Sequence, residues 1–407
     1  MATIGGHLSA WDRGPSHSAR VHPGPDGRLL YPTDEQGDVI PDFSTVGYKG
    51  GGVPLPTVPV AATLQPSAAP EDDAPRIQAA IDALAAQPPG ADGIRGALLL
   101  ERGEYRLGSS LLVSASGIVL RGEGDGPEGT RLRGVGPFTS GEPLTDGDKP
   151  AAGGAPPNKA NPELQSGALV EFVGPSGVEE VGKPTPIVGN CAVGAKEVRV
   201  SSGSFAVGTK ILVKRFGNRA WLDTLRLPHV ADPMVHAAER CVLAVRADGD
   251  TDVLTLDHSL VVAVEERWGG GEVIEYTDDG RLTQVAVENL SGDSAFDETK
   301  TTTLFTNMDR PNRVTEAPDG GDREGSHYHG FEYYNDEDHW WNFVRMSNCR
   351  DSWVQGVSGQ HFVSSIVRLD GGTIACTVQD CRASEFVGMI SGSREPQDPN
   401  PGSCASG

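Results

Sequence analysis

Two stretches late in the chain, VRMSNCRDSWVQGVSG (Val344–Gly359) and VRLDGGTIACTVQDCRA (Val367–Ala383), repeat one another. Val344-Arg345-Met346 matches Val367-Arg368-Leu369 at an offset of 23, and Trp353–Val357 matches Thr377–Cys381 at an offset of 24. A fixed period of ~20–50 residues is the signature of a solenoid. Each unit lacks the 3.6-residue apolar period of a helix and consists of strand-sized runs broken at Gly, Asp and Asn. The reading is a parallel β-solenoid whose coils pair at ~4.8 Å with apolar residues turned inward. Trp353 is assigned to the interior.

Composition agrees with many short strands. Of 407 residues, 53 are glycine and 30 proline, about a fifth of the chain against a usual ~12%. The net charge of −22 leaves no basic footprint for nucleic acid, so none is expected as a partner. It repels anionic membranes, and it repels polyanions unless a site is locally basic. No run of ~18 apolar residues exists, which excludes a membrane-spanning helix. The N-terminus has no apolar core of a signal peptide. That leaves a cytosolic protein or one whose leader lies outside these residues, and the function class below favours the second, an extracellular or secreted location. The six cysteines have no metal spacing and allow disulfides without requiring them.

Along the chain, residues 1–40 read as an irregular arm. Residues 41–185 hold a cap helix and the first coils. In EDDAPRIQAAIDALAAQ (Glu71–Gln87), Asp72 or Asp73 opens the helix, Pro75 suits its first turn, and Ile77, Ile81 and Leu84 share a face. GALLLERGEYRL (Gly96–Leu107), SSLLV, GIVLRGEG and TRLRG then read as short buried strands. Residues 186–266 alternate with period two and carry hairpin turns, the marks of an inserted small antiparallel β module. Further coils fill 267–390, interrupted by a polar loop at Thr299–Ser326. Residues 391–407 turn into Pro/Ser/Gly text and form an irregular tail, so Gln397–Gly407 is expected to be loosely packed and the coil at Thr377–Ala383 to have an open edge.

The order PDFSTVGYKGGG (Pro41–Gly52), DDAPRIQAAIDAL (Asp72–Leu84), RGALLLERGEYRLGSSLLV (Arg95–Val113) and GIVLRGEGDGPEGT (Gly117–Thr130) resembles the N-terminal cap and first coils of the pectate-lyase superfamily. DEDHWWNFV (Asp336–Val344) and DSWVQGVSGQHF (Asp351–Phe362) resemble central coils of its uncharacterised bacterial members. The likeness covers roughly residues 40–135 and 281–390. It implies an all-β fold, a right-handed parallel β-helix, and a polysaccharide or oligosaccharide as partner. Such helices host lyases, hydrolases, epimerases and phage adhesins, so the fold leaves the activity open.

Three clusters are candidates for chemistry. Arg345 and Arg368, one coil apart on one face, would clamp a carboxylate or sulfate, or else pair with neighbouring Asp or Glu. His361 precedes Glu385 by 24 residues, so it is expected one coil from a carboxylate, as a general base. His327 and His329 rank below it. The run NDEDHWW (Asn335–Trp341) offers Asp336, Glu337 and Asp338 as oxygen ligands for Ca2+, which lyases of the resembled group use to neutralise a uronate. His339, Trp340 and Trp341 of that run, with Arg382 and Glu385, are assigned to substrate contact. Gln355 and Gln379 are expected to stack as a structural amide ladder.

The leading expectation is a polysaccharide lyase acting by β-elimination on a uronate-containing glycan. The alternatives are a glycoside hydrolase using Asp370, Asp380 or Glu385, and a glycan-binding, adhesin-like solenoid without turnover.

Overall fold

The computed structural model describes residues 18, 20–26, 29–67, 72–135, 168–203, 205–227, 235–307, 314–315 and 328–388, with backbone alone at 302–307, 314–315 and 328–331. Cys404, His327 and the expected tail lie outside them. The described chain is mostly β with parallel sheets and few helices. It divides into two compact units, Met1–Thr45 with Val178–Thr277, and Val46–Gly177 with Asp278–Gly407.

The second unit holds three long parallel ladders, besides the short pairing of Leu282–Thr283 with Cys349–Arg350. The first stacks Val60–Leu64, Gly96–Leu100, Ile118–Arg121, Ala286–Glu288, Trp353–Gln355 and Thr377–Gln379. The second stacks Gly103–Leu107, Thr130–Gly134, Ser291–Ser294, Ser358–Gln360 and Arg382–Ser384. The third stacks Leu111–Val113, Ala168–Val173, Asn342–Ser347 and Ser365–Asp370. Val344 pairs with Val367 and Trp353 with Thr377, which are the two offsets read from the repeat. The extra residue enters at Gly371-Gly372, where the Asn348 N–H donates to the Gly371 carbonyl.

Strands Ala286–Ser294 and Trp353–Gln360 serve the first and second ladders in turn, so each must bend. They bend at Asn289 (φ 53°) and Gly356 (φ 60°), and Asp380 (φ 55°) makes the same corner one rung on. A second column of left-handed residues, Gln284, Asp351 and Ala375, precedes the first ladder. Asn, Asp and Gly tolerate this conformation best, which is why they punctuate the repeat.

Alternation then fixes two layers. Leu98, Leu120, Val287 and Val354 turn one way into the main core, with the helix Ala74–Ala85 packing Ile77, Ile81 and Leu84 against the same core. Burying each such side chain contributes ~1.5–3 kcal/mol. Asp72 accepts from the Ala74 and Gly108 N–H groups and Asp73 from that of Arg106, tying the helix start to the neighbouring strand. Ala97, Val119, Ala286 and Trp353 turn the other way and are covered by Tyr48 and Val58. Trp353 is therefore fully buried, but on the face opposite to the interior assigned from the sequence. Its indole meets Tyr48 edge-on at 5.3 Å.

Thr299–Ser326 is not wholly a loop. Thr301–Asn307 pairs antiparallel with Tyr328–Tyr334, and Phe305-Thr306 with Val314-Thr315. The β-favouring Thr-rich run outweighs its polarity. His329 lies within that hairpin, opposite Thr306. Among the described residues, Thr377–Gln379, Arg382–Ser384 and Ser365–Asp370 pair on one side only.

The first unit is an antiparallel sheet ordered Glu179–Pro186, Gly271–Thr277, Lys210–Phe216, Val235–Asp248, Thr251–Leu256, Glu197–Ser201. It extends beyond the 186–266 bounds read from the alternation, because its outermost strand, EEVGKPTP, is exposed and carries no apolar pattern. Its own core includes Val198, Ile211, Leu254 and Val273. The five described cysteines are free thiols.

Candidate functional site

At the end of the second ladder the chain turns left-handed again, at His361 (φ 61°) and, one rung on, Glu385 (φ 52°). The corner swings both side chains outward beside the face of the ladder that carries Asp293. His361 Nδ1 lies 2.7 Å from Asp293 Oδ1 and its Nε2 2.8 Å from Glu385 Oε2. The protonated ring donates to both carboxylates. The hydrogen bond to Asp293 is the main cause that lifts the His361 pKa above the ordinary imidazole value, against the cost of burial. Burial pushes Asp293 up, but His361, Arg133 and Arg131 outweigh it and hold the carboxyl below its usual value. Asp293 is almost enclosed, whereas the Glu385 side chain is 62% exposed.

A cavity of about 590 Å³ opens here, lined by Glu298, Thr301, Glu332, Tyr333, Tyr334, His361, Glu385, Phe386 and Val387. The Phe296 ring lies 5.1 Å from those of both Tyr334 and His361, tilted by 60° and 47°. Tyr334 is exposed, so its ring is available to a ligand. Below the cavity the same face of the second ladder presents Arg106, Arg133 and Asp293 in one register column and Glu104, Arg131, Ser291, Ser358 and Arg382 in the next. Arg133 lies 3.9 Å from both Glu104 and Asp293. The four arginines share the strip with Glu104 and Asp293, and Arg106 and Arg382 also lie 3.9 and 4.0 Å from Glu104 and Asp125.

The sequence candidates fare differently. His361 and Glu385 come together as their spacing implied. Arg345 and Arg368 stack in register, but Arg345 faces Glu171 at 3.6 Å and Asp370 at 3.2 Å, and Arg368 meets Asp370 at 3.1 Å. The chain's own carboxylates fill the place of a clamped anion. Trp340, Trp341 and His339 are buried in the second unit, so their rings contribute to the fold and present no sugar platform. His339 shares a hydrogen bond with Ser294 at 2.8 Å and lies 3.0 Å from the Asp336 carbonyl. Asp336 and Asp338 both bind the Lys300 ammonium, at 2.8 and 2.7 Å, and Asp336 also accepts the Asp297 and Asp338 N–H groups. The Glu337 carbonyl accepts the Trp341 indole N–H. Among the described residues no three His, Cys, Asp or Glu side chains gather in a way that could hold a metal ion. Arg382 is exposed, 4.0 Å from Asp125. Of the carboxylates named for hydrolysis, Asp370 is spent on the two arginines and Asp380 stands at a corner.

Asp293, Arg131, Arg133 and Tyr334 escaped the sequence reading. The signal was present for the first. AVENLSGDS (Ala286–Ser294) is a third copy of WVQGVSGQH (Trp353–His361), sharing Val and Ser-Gly at an offset of 67, which aligns Asp293 with Gln360.

No family model matches the chain, and no curated protein does. Among solved structures it is similar to the tailspike gp61 of Pseudomonas phage phi297, with 13% identity and a TM-score of 0.31. It is also similar to the tailspike gp49 of Pseudomonas phage LKA1, with 12% identity and a TM-score of 0.28. A third is the tailspike gp54 of Acinetobacter baumannii bacteriophage AP22, in complex with capsular saccharide, with 8% identity and a TM-score of 0.27. The alignments take in 77–78% of this chain and 44% of each tailspike, so the chain spans under half of their length.

Proposed function

We propose that the three ladders are the faces of a right-handed parallel β-solenoid, and that the chain depolymerises an acidic polysaccharide at the His361 cavity by β-elimination. The observation that carries this reading is His361, fixed by enclosed Asp293, with Nε2 turned to an aromatic-edged cavity beside Arg131 and Arg133. β-Elimination needs a base for the proton α to a uronate carboxylate and cations to disperse the resulting enolate charge. His361 takes the α proton, the C–O bond to the leaving sugar breaks as the C=C bond forms, and the resulting imidazolium gives the proton to the leaving oxygen, while Asp293 fixes the ring's orientation. Arg131 and Arg133 take the part first given to Arg345 and Arg368. Tyr334 stacks on a sugar ring. Substrate entry requires Glu385 to leave Nε2, and its exposed side chain is free to do so. A calcium ion at Asp336 and Asp338 would have to displace Lys300, so these carboxylates are assigned to holding the Asp297–Lys300 turn. Such polymers occur outside the cell, and an extracellular location goes with the reading.

A panel of uronate polymers, followed by ultraviolet absorbance of the unsaturated product, tests it. Because the His361 pKa is raised, its basic form grows as pH climbs past that raised value, and the rate is expected to rise with it. His361→Gln is expected to lower kcat by roughly 10²–10⁴-fold with an unchanged far-UV spectrum. A second reading has its own support. With one imidazole between them, Asp293 and Glu385 approach to no more than ~8 Å, compatible with the ~6.5–9.5 Å pair of an inverting hydrolase. New reducing ends without absorbance would establish that reading and sink the lyase. Binding without either product would sink both.

A further inference from the structure

A second cavity, of about 720 Å³, lies on another face of the second unit. Its floor is the outer face of the first ladder, where Arg121, Glu288, Gln355 and Gln379 stand one per rung in register. Its wall is the segment Gly51–Thr57 with Val46 and Tyr48, and Asn289 and Thr377 complete the lining. The volume falls within the ~300–1,000 Å³ of small-molecule sites.

The charges in this cavity are already satisfied. Arg121 Nε donates to Glu288 at 2.6 Å, and a second guanidinium N–H donates to the Val58 carbonyl at 2.8 Å. The other Glu288 oxygen accepts the Trp353 indole N–H at 2.6 Å. Thr377 Oγ1 accepts from the Tyr48 N–H. The amides differ. Among the described residues, the side chains of Asn289, Gln355 and Gln379 make no hydrogen bond, either to one another or to other groups. The amide ladder expected from the repeat therefore stacks in register without bonding. Three groups that can each donate and accept line the cavity together with a neutralised ion pair and with Pro54, Leu55 and Pro56.

We propose that this cavity is a second saccharide site, selective for an uncharged segment of glycan. Unspent amides bind hydroxyl pairs by donating to one and accepting from the other. Arg121, the cation among the lining residues, is already paired with Glu288, and proline and leucine side chains offer C–H surface to a sugar ring. The site needs nothing from the chemistry at His361, so either proposal stands if the other falls.

The test is titration of the full chain with cellohexaose, xylohexaose and hexagalacturonate, monitored by saturation-transfer NMR and calorimetry. At least one neutral hexasaccharide is expected to bind, and His361→Gln is expected to leave its affinity unchanged. The double variant Gln355→Ala, Gln379→Ala is expected to weaken it at least fivefold. Both glutamines are solvent-accessible, and a thermal midpoint equal to the parent's is the folding check. Gln379→Glu, which sets a carboxylate near Glu288 without removing bulk, is expected to weaken binding as well. Three results would overturn the proposal: no neutral probe binds, the glutamine variants bind as the parent does, or hexagalacturonate competes equally for the same residues.

Discussion

His339 and His361 both lie against the Phe296 ring, at separations of 5.9 and 5.1 Å, and their surroundings shift them in opposite directions. Burial pushes His339 down to about 4, so it remains neutral in the folded protein. An unfolded histidine titrates near ~6.5. The folded value is the lower one, so His339 costs nothing above pH ~6.5, and stability is lost as pH falls from there towards 4, about 3 kcal/mol in all. His361 is raised by Asp293. Its contribution is full below the unfolded value and is lost as pH rises through the folded one. Between pH ~6.5 and ~5, then, His339 changes and His361 does not. Urea unfolding of the parent is expected to lose about 2 kcal/mol over that interval, and His339→Gln to lack the loss. Equal slopes for the two proteins would refute the assignment.

At the scale of the element, the corner decides. The strand Trp353–Gln360 bends at Gly356, where an added Cβ would approach Asn289 Oδ1 to 2.7 Å. A β-branched residue with φ near 60° also carries backbone strain of ~1–2 kcal/mol. Gly356→Val is expected to destabilise by at least about 2 kcal/mol in chemical denaturation, and a loss below ~0.5 kcal/mol would show the corner to be soft. The same corners explain what could be read in advance. The ladder register was legible because Val-Arg-Met and Val-Arg-Leu carry it in their alternation, and the helix because Ile77, Ile81 and Leu84 mark its face. His361 with Glu385 was legible because one period separates them. Trp353 was misread because a bulky apolar side chain looks the same on either face of a strand. Only Tyr48 and Val58, some 300 residues away, decide which face is covered. The arginine pair misled for a related reason: its partner Glu171 comes from a strand whose register no local pattern announces. Arg131 and Arg133 were in plain view in TRLRG, but their meaning depends on Asp293 arriving beside them.

Across the whole molecule, charge and rung order act together. The excess of acid over base, −22 in all, disfavours polyanions in general, and among the described residues the second ladder gathers Arg106, Arg131, Arg133 and Arg382 on one face. The rungs also carry sulfur. Cys349, fully enclosed, is pushed by burial up to about 12, and Cys376, in the next rung, up to about 11; Cys381, in that rung too, is raised. Only the thiolate reacts, so at neutral pH these groups are silent until water reaches them. Among the described residues the strands Thr377–Gln379 and Arg382–Ser384 pair on one side only, and structure opens first where such contacts are fewest. With an aromatic disulfide reagent and urea below the midpoint, Cys381 and Cys376 are expected to be modified well before Cys349, and simultaneous modification of the three would mean a single cooperative block. The thiols thus time-stamp the loss of structure, recording from which end the stack comes apart.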